Sequence, residues 1–372
     1  MKDQTPFERS LAVRFGRQHS LLLGHGSTAI SFALTAARRK HPTRDKVLLP
    51  ACCCPSIAQV ILYNGMTPVF VDIDPATGNV TADTVRSSLN SDTVAVIVIH
   101  LFGNPAPIRA IEAVCQEHEI VVIEDAAQSI GGVADGRLMG SGGHFSILSF
   151  GGTKIVRAGI GGVLLWDDDE HTQDLLNASS ALPAHHSTHH NTLLALSHRN
   201  IYHGLVDLLR VNPSASVQHV LPSLVTLYKE LYYHRVDEAT GIERLIQDGL
   251  STLEVALGRR LEKAGILEEG LPATRLVSCD GWKQSGVVWR FSFVTDTPDL
   301  ATHLTARLRA ERLNASNHYW STADLFGYRK TLSGASYFGP RVVNLWVDDS
   351  VSIPDTHRTV EIINKAVDSI HS

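Results

Sequence analysis

Along the first half of the chain, short runs of unbroken apolar residues alternate with stretches whose apolar positions recur every three or four residues. The runs Lys46–Leu49, Pro68–Val71, Val94–His100 and Ile120–Glu124 predict strands. The intervening stretches Ser56–Asn64, Ala82–Leu89 and Pro107–His118 carry helical spacing. A strand that is apolar on both sides must be covered on both faces, so this alternation predicts a parallel sheet between helical layers. Right-handed crossovers then bring the strand C-termini to one edge, and open α/β sheets bind ligands at that edge. Two further runs, Phe145–Phe150 and Gly162–Trp166, predict strands joined by a glycine-rich segment.

Beyond residue 168 the pattern changes. Residues 168–235 read as mixed helix and loop, an atypical insertion. Four histidines fall within His185–His190, but no carboxylate accompanies them at helical ligand spacing, so a polar loop is expected and no metal site. A long amphipathic helix is predicted over Val236–Ala264. It is followed by a strand at Gly286–Val294, a helix at Pro298–Glu311, a strand at Val342–Trp346 and a closing helix at Pro354–Ile370. This second part reads as a smaller α+β unit. With 372 residues the chain exceeds what one core usually carries, and the division expected is a large domain over 1–240 and a small one over 241–372.

Composition narrows the partners. The formal net charge of -5 gives no basic face for phosphate neutralisation, which argues against nucleic acid. The opening residues MKDQTPFERS hold no apolar h-region and no stretch nears the ~20 apolar residues a bilayer span needs, so no signal peptide, no membrane association and a cytoplasmic location are expected. Of the five cysteines, Cys52, Cys53 and Cys54 are adjacent, a poor framework for disulfides.

Three segments carry candidate chemistry. Glu124-Asp125-Ala126-Ala127-Gln128 follows an apolar strand, which sets Asp125 at the strand's C-terminal end, as a helix cap or a site residue. In Ser149-Phe150-Gly151-Gly152-Thr153-Lys154, a lysine stands just past a strand in a glycine-framed turn. Lysines in turns are ordinarily solvated, but glycines allow close backbone approach to a ligand, and burial lowers a lysine's pKa toward imine-forming reactivity. Gly24-His25-Gly26-Ser27-Thr28-Ala29 offers free N–H groups and hydroxyls at a helix start, as a plain N-cap or a phosphate cradle. The same segment fits GxGxxA, and Asp45 stands about twenty residues on, which raises a nicotinamide-dependent oxidoreductase as a rival. The polar stretch Arg38–Lys46 places no strand ahead of Asp45, and the rival explains neither Asp125 nor Lys154.

Taken in order, these segments resemble the DegT/DnrJ/EryC1/StrS family of pyridoxal-phosphate (PLP) aminotransferases, best known for aminating keto sugars. Pro68–Asp74 resembles the family's PVFVDID, His100–Gly103 its HLYG, Val122–Gln128 its VIEDAAQ, and Gly136-Arg137 with Gly140-Ser141 the lead-in to its SF…K strand. The resemblance is dense over about residues 20–168. It implies the aspartate-aminotransferase type of fold, an α/β large domain with a mostly parallel sheet and a small α+β C-terminal domain. It also implies PLP as cofactor, an amino-acid donor (glutamate in most of the family), a keto or aldehyde acceptor and a homodimer. Carried over by position, Lys154 would hold PLP covalently and shuttle a proton, and Asp125 would pair with the ring nitrogen. Gln128 would lie beside the ring; Ser149, Ser27 and Thr28 would hold the phosphate. Relatives that catalyse dehydration replace this lysine with histidine, so its retention points to amino transfer. A PLP-binding member without turnover is the non-enzymatic alternative.

The chain departs from the family at four places. The aromatic residue usually over the cofactor is matched by Cys54, which stacks less well and is expected to be a buried apolar residue. The family's Asn-Tyr-Arg motif, whose asparagine reaches the neighbouring subunit's phosphate, is matched by Tyr233-His234-Arg235, with Tyr233 as the group that would substitute through its hydroxyl. An insertion separates Lys154 from that motif, and the usual N-terminal arm is missing. For substrate contact, His318 in Asn317-His318-Tyr319 and Arg290 within the strand Val287–Val294 are the candidates, the arginine because it matches a carboxylate bidentately.

Overall fold

The computed structural model describes residues 3–184, 189–212, 214–215, 220–236, 241–328 and 331–369. The side chains of the histidine stretch 185–190 lie outside the described residues. The large sheet is built from β1 (His19–Leu23), β2 (Lys46–Pro50), β3 (Thr67–Val71), β4 (Thr93–Ile99) and β5 (Val121–Asp125). A small hairpin follows, β6 (Val133–Ala134) and β7 (Arg137–Leu138), and then β8 (Phe145–Ser149) and β9 (Gly162–Trp166) complete the sheet. Its order is β1-β9-β8-β5-β4-β2-β3. Strand β9 is antiparallel to both neighbours, and the other six run in one direction. The exception has a local cause: the link from β8 to β9 holds no helix, and a parallel return needs a long crossover.

All seven residues of β4 and all five of β5, β8 and β9 are buried, as expected of strands covered on both faces. The helix Gly26–Lys40 covers β8 and β9. Gly162 permits its close approach, because a Cβ at that position would lie 2.2 Å from the Gly26 backbone nitrogen. The insertion is largely helical, with helices Thr172–Ser180, His189–Val211 and Leu221–Tyr232. Tyr202, Val206, Leu209, Leu224 and Tyr228 bury against the same core.

A second sheet contains β10 (Leu276–Ser278), β11 (Phe291–Thr295), β12 (Ala315–Ser316) and β13 (Val342–Leu345), ordered β10-β11-β13-β12 and antiparallel throughout. Its core takes Phe291, Phe293, Val343 and Leu345 from the strands, and Leu300, Leu304 and Ile363 from helices Pro298–Ala310 and Ile353–Ser369. The two cores meet within helix Leu253–Gly270: Leu253 and Leu257 belong to the first, with Ile242, Ile246 and Leu250 before them, and Ala264 and Leu267 to the second, while Phe338 and Val342 return to the first.

Two predicted elements differ. The helix expected over Val236–Ala264 is two helices, Ile242–Ser251 and Leu253–Gly270, which meet at Thr252 with φ -104° and ψ 8°. The Ser251 hydroxyl donates to the Asp248 carbonyl at 2.7 Å and the Thr252 hydroxyl to the same carbonyl at 3.1 Å, so hydroxyl bonds compete with the helix ladder at the break. The strand expected from Gly286 begins only at Phe291. Residues 287–290 leave the sheet to dock on the turn Leu101–Gly103, where the Trp289 N–H donates to the Phe102 carbonyl at 2.8 Å.

Candidate active site

The C-termini of the six co-directional strands share one edge, and the candidate residues gather along it. Asp125 ends β5, is 5% exposed, and accepts the Ala127 N–H at 2.9 Å. Its footing is a buried pair. His100 donates from Nε2 to Glu124 at 2.8 Å, because its Nδ1 already accepts the Ala106 N–H at 2.9 Å. Glu124 also accepts the Gly142 N–H at 2.7 Å. The HLFG and VIEDAAQ segments therefore pin neighbouring strand ends to each other. Asp72, from the third matched segment, accepts the N–H groups of Gly334 and Ala335 at 3.0 and 2.9 Å and ties the C-terminal part of the chain to the same edge.

Lys154 follows β8, half-buried and within electrostatic reach of Asp125. Burial lowers its pKa below the usual lysine range, Asp125 and Cys54 oppose that, and Arg290 adds to it. Burial raises the Asp125 carboxyl, and Lys154 is the largest influence in the other direction. Each is thus the other's main electrostatic support in a poorly solvated pocket. The Lys154 ammonium lies 5.6 Å from the Trp289 ring centroid, and the Trp289 indole N–H donates to the Thr153 carbonyl at 2.7 Å, which fixes the turn that carries the lysine.

Beside it is a polar notch at the start of helix Gly26–Lys40, capped by His25. The Ser149 hydroxyl is buried with no hydrogen-bond partner among the described residues. A Cβ on Gly26 would come within 3.4 Å of that hydroxyl, and one on Gly151 within 4.0 Å of it and 3.9 Å of Lys154 Cγ and His25 Nε2. The helix N-terminus, the Ser149 hydroxyl and the lysine stem therefore border one small space lined by glycines. An unpaired buried hydroxyl costs free energy unless something bonds to it. Ser27 is buried at this end. The Thr28 hydroxyl instead donates to the Tyr232 carbonyl, so that side chain is committed to the insertion, a correction to its expected place on a phosphate.

The remaining candidates fall at varying distances from this centre. Gln128 accepts the Phe102 N–H at 2.7 Å and donates to the Tyr319 hydroxyl at 2.7 Å, which holds its amide at the same edge. Cys54 is exposed, contrary to the buried apolar place expected. It caps helix Pro55–Tyr63 at the mouth of the site, while Cys52 and Cys53 take the buried positions. It is close enough to Lys154, Tyr202, Tyr232 and Tyr319 to act on each electrostatically. The Tyr233 ring packs 4.9 Å from Tyr63 and its hydroxyl reaches Ser31, a helical turn beyond Ser27. Its neighbour Tyr232 borders the notch of this chain, its ring 4.4 Å from His25.

His318 stacks on His203 at 4.1 Å and accepts from Arg309 at 3.2 Å. Burial, then His203, Arg309 and Arg210, push its pKa down to about 3, so it stays neutral near pH 7. Tyr319, next in sequence, is the residue that reaches Gln128. Arg290 is buried between Trp289 and Trp346, at 4.6 and 4.2 Å, and is bound to Asp348 at 3.0 Å. A carboxylate of its own chain thus already fills the place imagined for a substrate's. Arg157 shares Asp348 at 2.5 Å and is partly exposed. Sequence reasoning missed Tyr319, Tyr232 and Trp289. The only signal was adjacency to the residues chosen, since local pattern does not say which of two neighbours faces a site. Asp45 lies at the start of β2, on the opposite edge from Gly24–Gly26, which removes the geometry that a dinucleotide fingerprint requires.

Comparison with known proteins bears on the family and the fold. The family model of the DegT/DnrJ/EryC1/StrS aminotransferase family matches residues 2–191. A GDP-perosamine synthase of Caulobacter vibrioides is 34% identical over 164 residues, 44% of either chain. A pleiotropic regulatory protein of Geobacillus stearothermophilus is 39% identical over 164 residues, again 44% of either chain. The match thus spans under half the length of these curated relatives. Solved structures extend the likeness to the whole chain. An aminotransferase from Streptoalloteichus hindustanus superposes with a TM-score of 0.77 at 21% identity, over 98% of this chain and 90% of that one. A putative sugar aminotransferase from Streptococcus pneumoniae does so with a TM-score of 0.77 at 17% identity, over 98% and 91%. The family model covers the three segments that form the site, and the fold is shared end to end; this chain belongs to the DegT/DnrJ/EryC1/StrS aminotransferase family.

Proposed function

We propose that the chain is a PLP-dependent aminotransferase that moves an amino group from an amino-acid donor, glutamate, to a keto or aldehyde group on a nucleotide-linked sugar. The observation that carries the reading is the mutual support of Lys154 and Asp125 at the C-terminal sheet edge, beside a notch whose buried Ser149 hydroxyl lacks a partner. Those residues fit PLP: an anion suits the helix start and the serine, a carboxylate suits a protonated ring nitrogen, and an amine of lowered pKa suits a carbonyl. When bound, PLP supplies an electrophilic carbonyl and a ring that withdraws electrons from the substrate's reacting carbon.

The protein's part is positioning and proton handling. Lys154 would hold the cofactor, and its amine would carry a proton to and from the substrate carbon. Its lowered pKa leaves more of it in the neutral, reactive form at a given pH. Asp125 would keep the ring nitrogen protonated. Gln128, oriented by Phe102 and Tyr319, would stand by the ring. Ser149, with the backbone of Gly26 and Ser27, would take the phosphate. Cys54 and the insertion tyrosines wall the acceptor side.

A second copy of the chain is the partner proposed. The five cysteines are all free, which supports a reducing, cytoplasmic setting. No helix among the described residues is long and apolar enough to cross a membrane. Support for a sugar acceptor comes from the relatives, whose names include GDP-perosamine synthase and UDP-N-acetyl-3-dehydro-alpha-D-glucosamine 3-aminotransferase. The test is transfer of 15N from labelled glutamate to a panel of nucleotide-linked keto sugars, read by mass spectrometry. Labelled amino sugar is expected; PLP binding without transfer to any acceptor, or back from any donor, would favour the non-catalytic alternative.

Two further outcomes follow. Ser149→Ala is expected to weaken PLP binding about 10–100-fold, the range for losing a hydrogen bond to a charged group, read by fluorescence titration of the apoprotein. His318→Gln is expected to leave the pH profile of amino transfer where it is, because a group held near 3 does not titrate in the working range. A moved profile limb would give His318 a proton-transfer role.

A further inference from the structure

Position 25 carries an unusual residue. A helix N-cap favours serine, threonine, aspartate or asparagine, whose side-chain oxygen takes up a free backbone amide. His25 holds that position with extended backbone, φ -153° and ψ 155°, yet its side chain makes no cap bond to helix Gly26–Lys40. The Thr28 and Ala29 N–H groups donate to the His25 carbonyl instead, at 3.0 and 3.2 Å, and any residue offers that carbonyl. The imidazole is therefore not needed to start the helix.

The surroundings of Gly151 show where the imidazole lies. From the point that a Cβ of this glycine would occupy, the three nearest atoms outside the adjoining residues are His25 Nε2 at 3.9 Å, Lys154 Cγ at 3.9 Å and Ser149 Oγ at 4.0 Å. These three side chains stand round one small space that a larger residue at 151 would fill. Two of them already have a place in the functional reading, the lysine as covalent anchor and the serine as phosphate ligand. The histidine has the same access. An imidazole N–H is a hydrogen-bond donor, and a bond to an ionised phosphate is about twice as strong as one between neutral groups.

The insertion fixes the ring. Two hydroxyls clamp helix Leu221–Tyr232 on the first turn of helix Gly26–Lys40: Tyr228 donates to the Ser27 carbonyl at 2.9 Å, and Thr28 donates to the Tyr232 carbonyl. The Tyr232 ring then backs the His25 ring, 4.4 Å between centroids and tilted by 40°. The Tyr232 hydroxyl is in turn bonded to His198 at 3.4 Å. A donor backed in this way has little freedom left to lose when a ligand arrives, which lowers the entropy cost of binding.

We infer that His25 donates from Nε2 to the phosphate of PLP, beside Ser149, and that Tyr232 of the insertion is the positioning residue that holds its ring there. This rests on the PLP reading above and adds two residues to it. It also gives the insertion a part in cofactor binding.

The test compares PLP with pyridoxal, which has the same ring and reactive carbonyl but no phosphate. Apoprotein is titrated with each ligand, pyridoxal up to millimolar concentration, and attachment is read by visible absorbance. The proteins are wild type, H25L, Y232A and H25L/Y232A, with circular dichroism to verify folding. H25L is expected to weaken PLP binding about 10–100-fold and to leave pyridoxal binding unchanged. Y232A is expected to weaken PLP less than H25L does, and again to spare pyridoxal. The double variant should bind PLP no more weakly than H25L, because Tyr232 acts through the imidazole and the two losses do not add. A folded H25L with wild-type affinity for PLP overturns the contact, and one with equal losses for PLP and pyridoxal shows a structural role instead. Losses that add in the double variant overturn the role given to Tyr232. Wild type that attaches neither ligand overturns the PLP reading itself.

Discussion

Lys154→Ala is expected to abolish covalent attachment of PLP and to lower amino transfer at least about a thousandfold, because one side chain supplies both the nucleophile and the proton carrier. The wild-type protein mixed with PLP should show a visible absorbance band distinct from that of the free cofactor. Borohydride should fix the cofactor on one peptide, the one containing Lys154. The variant should show neither. The environment explains why this lysine reacts among others: burial lowers its pKa, and Asp125 keeps the group from being merely expelled to solvent. Lys154→Arg separates charge from chemistry, since it keeps a cation opposite Asp125 but offers no amine. It should fold as the wild type and fail equally. Retained labelling in either variant, or label on another lysine, would sink the assignment and with it the centre of the functional reading.

Asp125→Asn is the second large effect, and its two consequences carry opposite signs. An amide cannot hold a proton on the cofactor's ring nitrogen as a carboxylate does. Loss of such a preorganised charge typically costs about 10²–10³ in turnover. The apoprotein should behave the other way. Burial raises the Asp125 pKa above its ordinary 3.8, against the opposing pull of Lys154, the Ala127 N–H and His100. The folded state then binds the proton more tightly than the unfolded chain. Stability falls as pH rises through the interval between the two pKa values, and the cost persists in full above both. The neutral amide escapes that cost, so the apo variant is expected to be more stable than wild type at pH 7. The gap should narrow as pH falls toward 4. Thermal melts of both apoproteins at several pH values, beside turnover of the loaded enzymes, read the two signs. A variant with wild-type turnover would show that Asp125 is a structural cap only.

The stability cost at Asp125 is characteristic of a site: the buried carboxylate and the unpaired Ser149 hydroxyl are both unfavourable for folding and are useful only when a ligand meets them. By contrast, the His100–Glu124 pair and the Asp72 bonds to Gly334 and Ala335 are fully satisfied. Those motif residues hold strand ends and the C-terminal part of the chain in place without touching the reacting centre. A match to a family motif therefore mixes chemical and structural residues, and hydrogen-bond accounting separates them.

The sequence by itself determined the large sheet and which candidate residues stand at its edge. Unbroken apolar runs such as Val94–Ile99 can only be strands buried on both faces, and a strand's last residues then fall on the ligand edge whatever the rest of the chain does. Asp125, Ser149 and Lys154 were set at that edge by their own strands, and the family resemblance supplied their expected roles. Two features that periodicity did not show were set locally: the direction of β9 by a loop without a crossover helix, and the break at Thr252 by hydroxyls competing for nearby backbone carbonyls. Others were decided by tertiary structure. The choice of Tyr232 over Tyr233 and of Tyr319 over His318 depended on which side of a short segment its neighbours cover. Arg290 shows the reason most plainly: nothing near it in sequence announces Asp348, a carboxylate 58 positions away that folding brings within 3.0 Å and that claims the cation first. Periodicity reports what each residue needs from its surroundings, and only the packed structure decides which distant group supplies it.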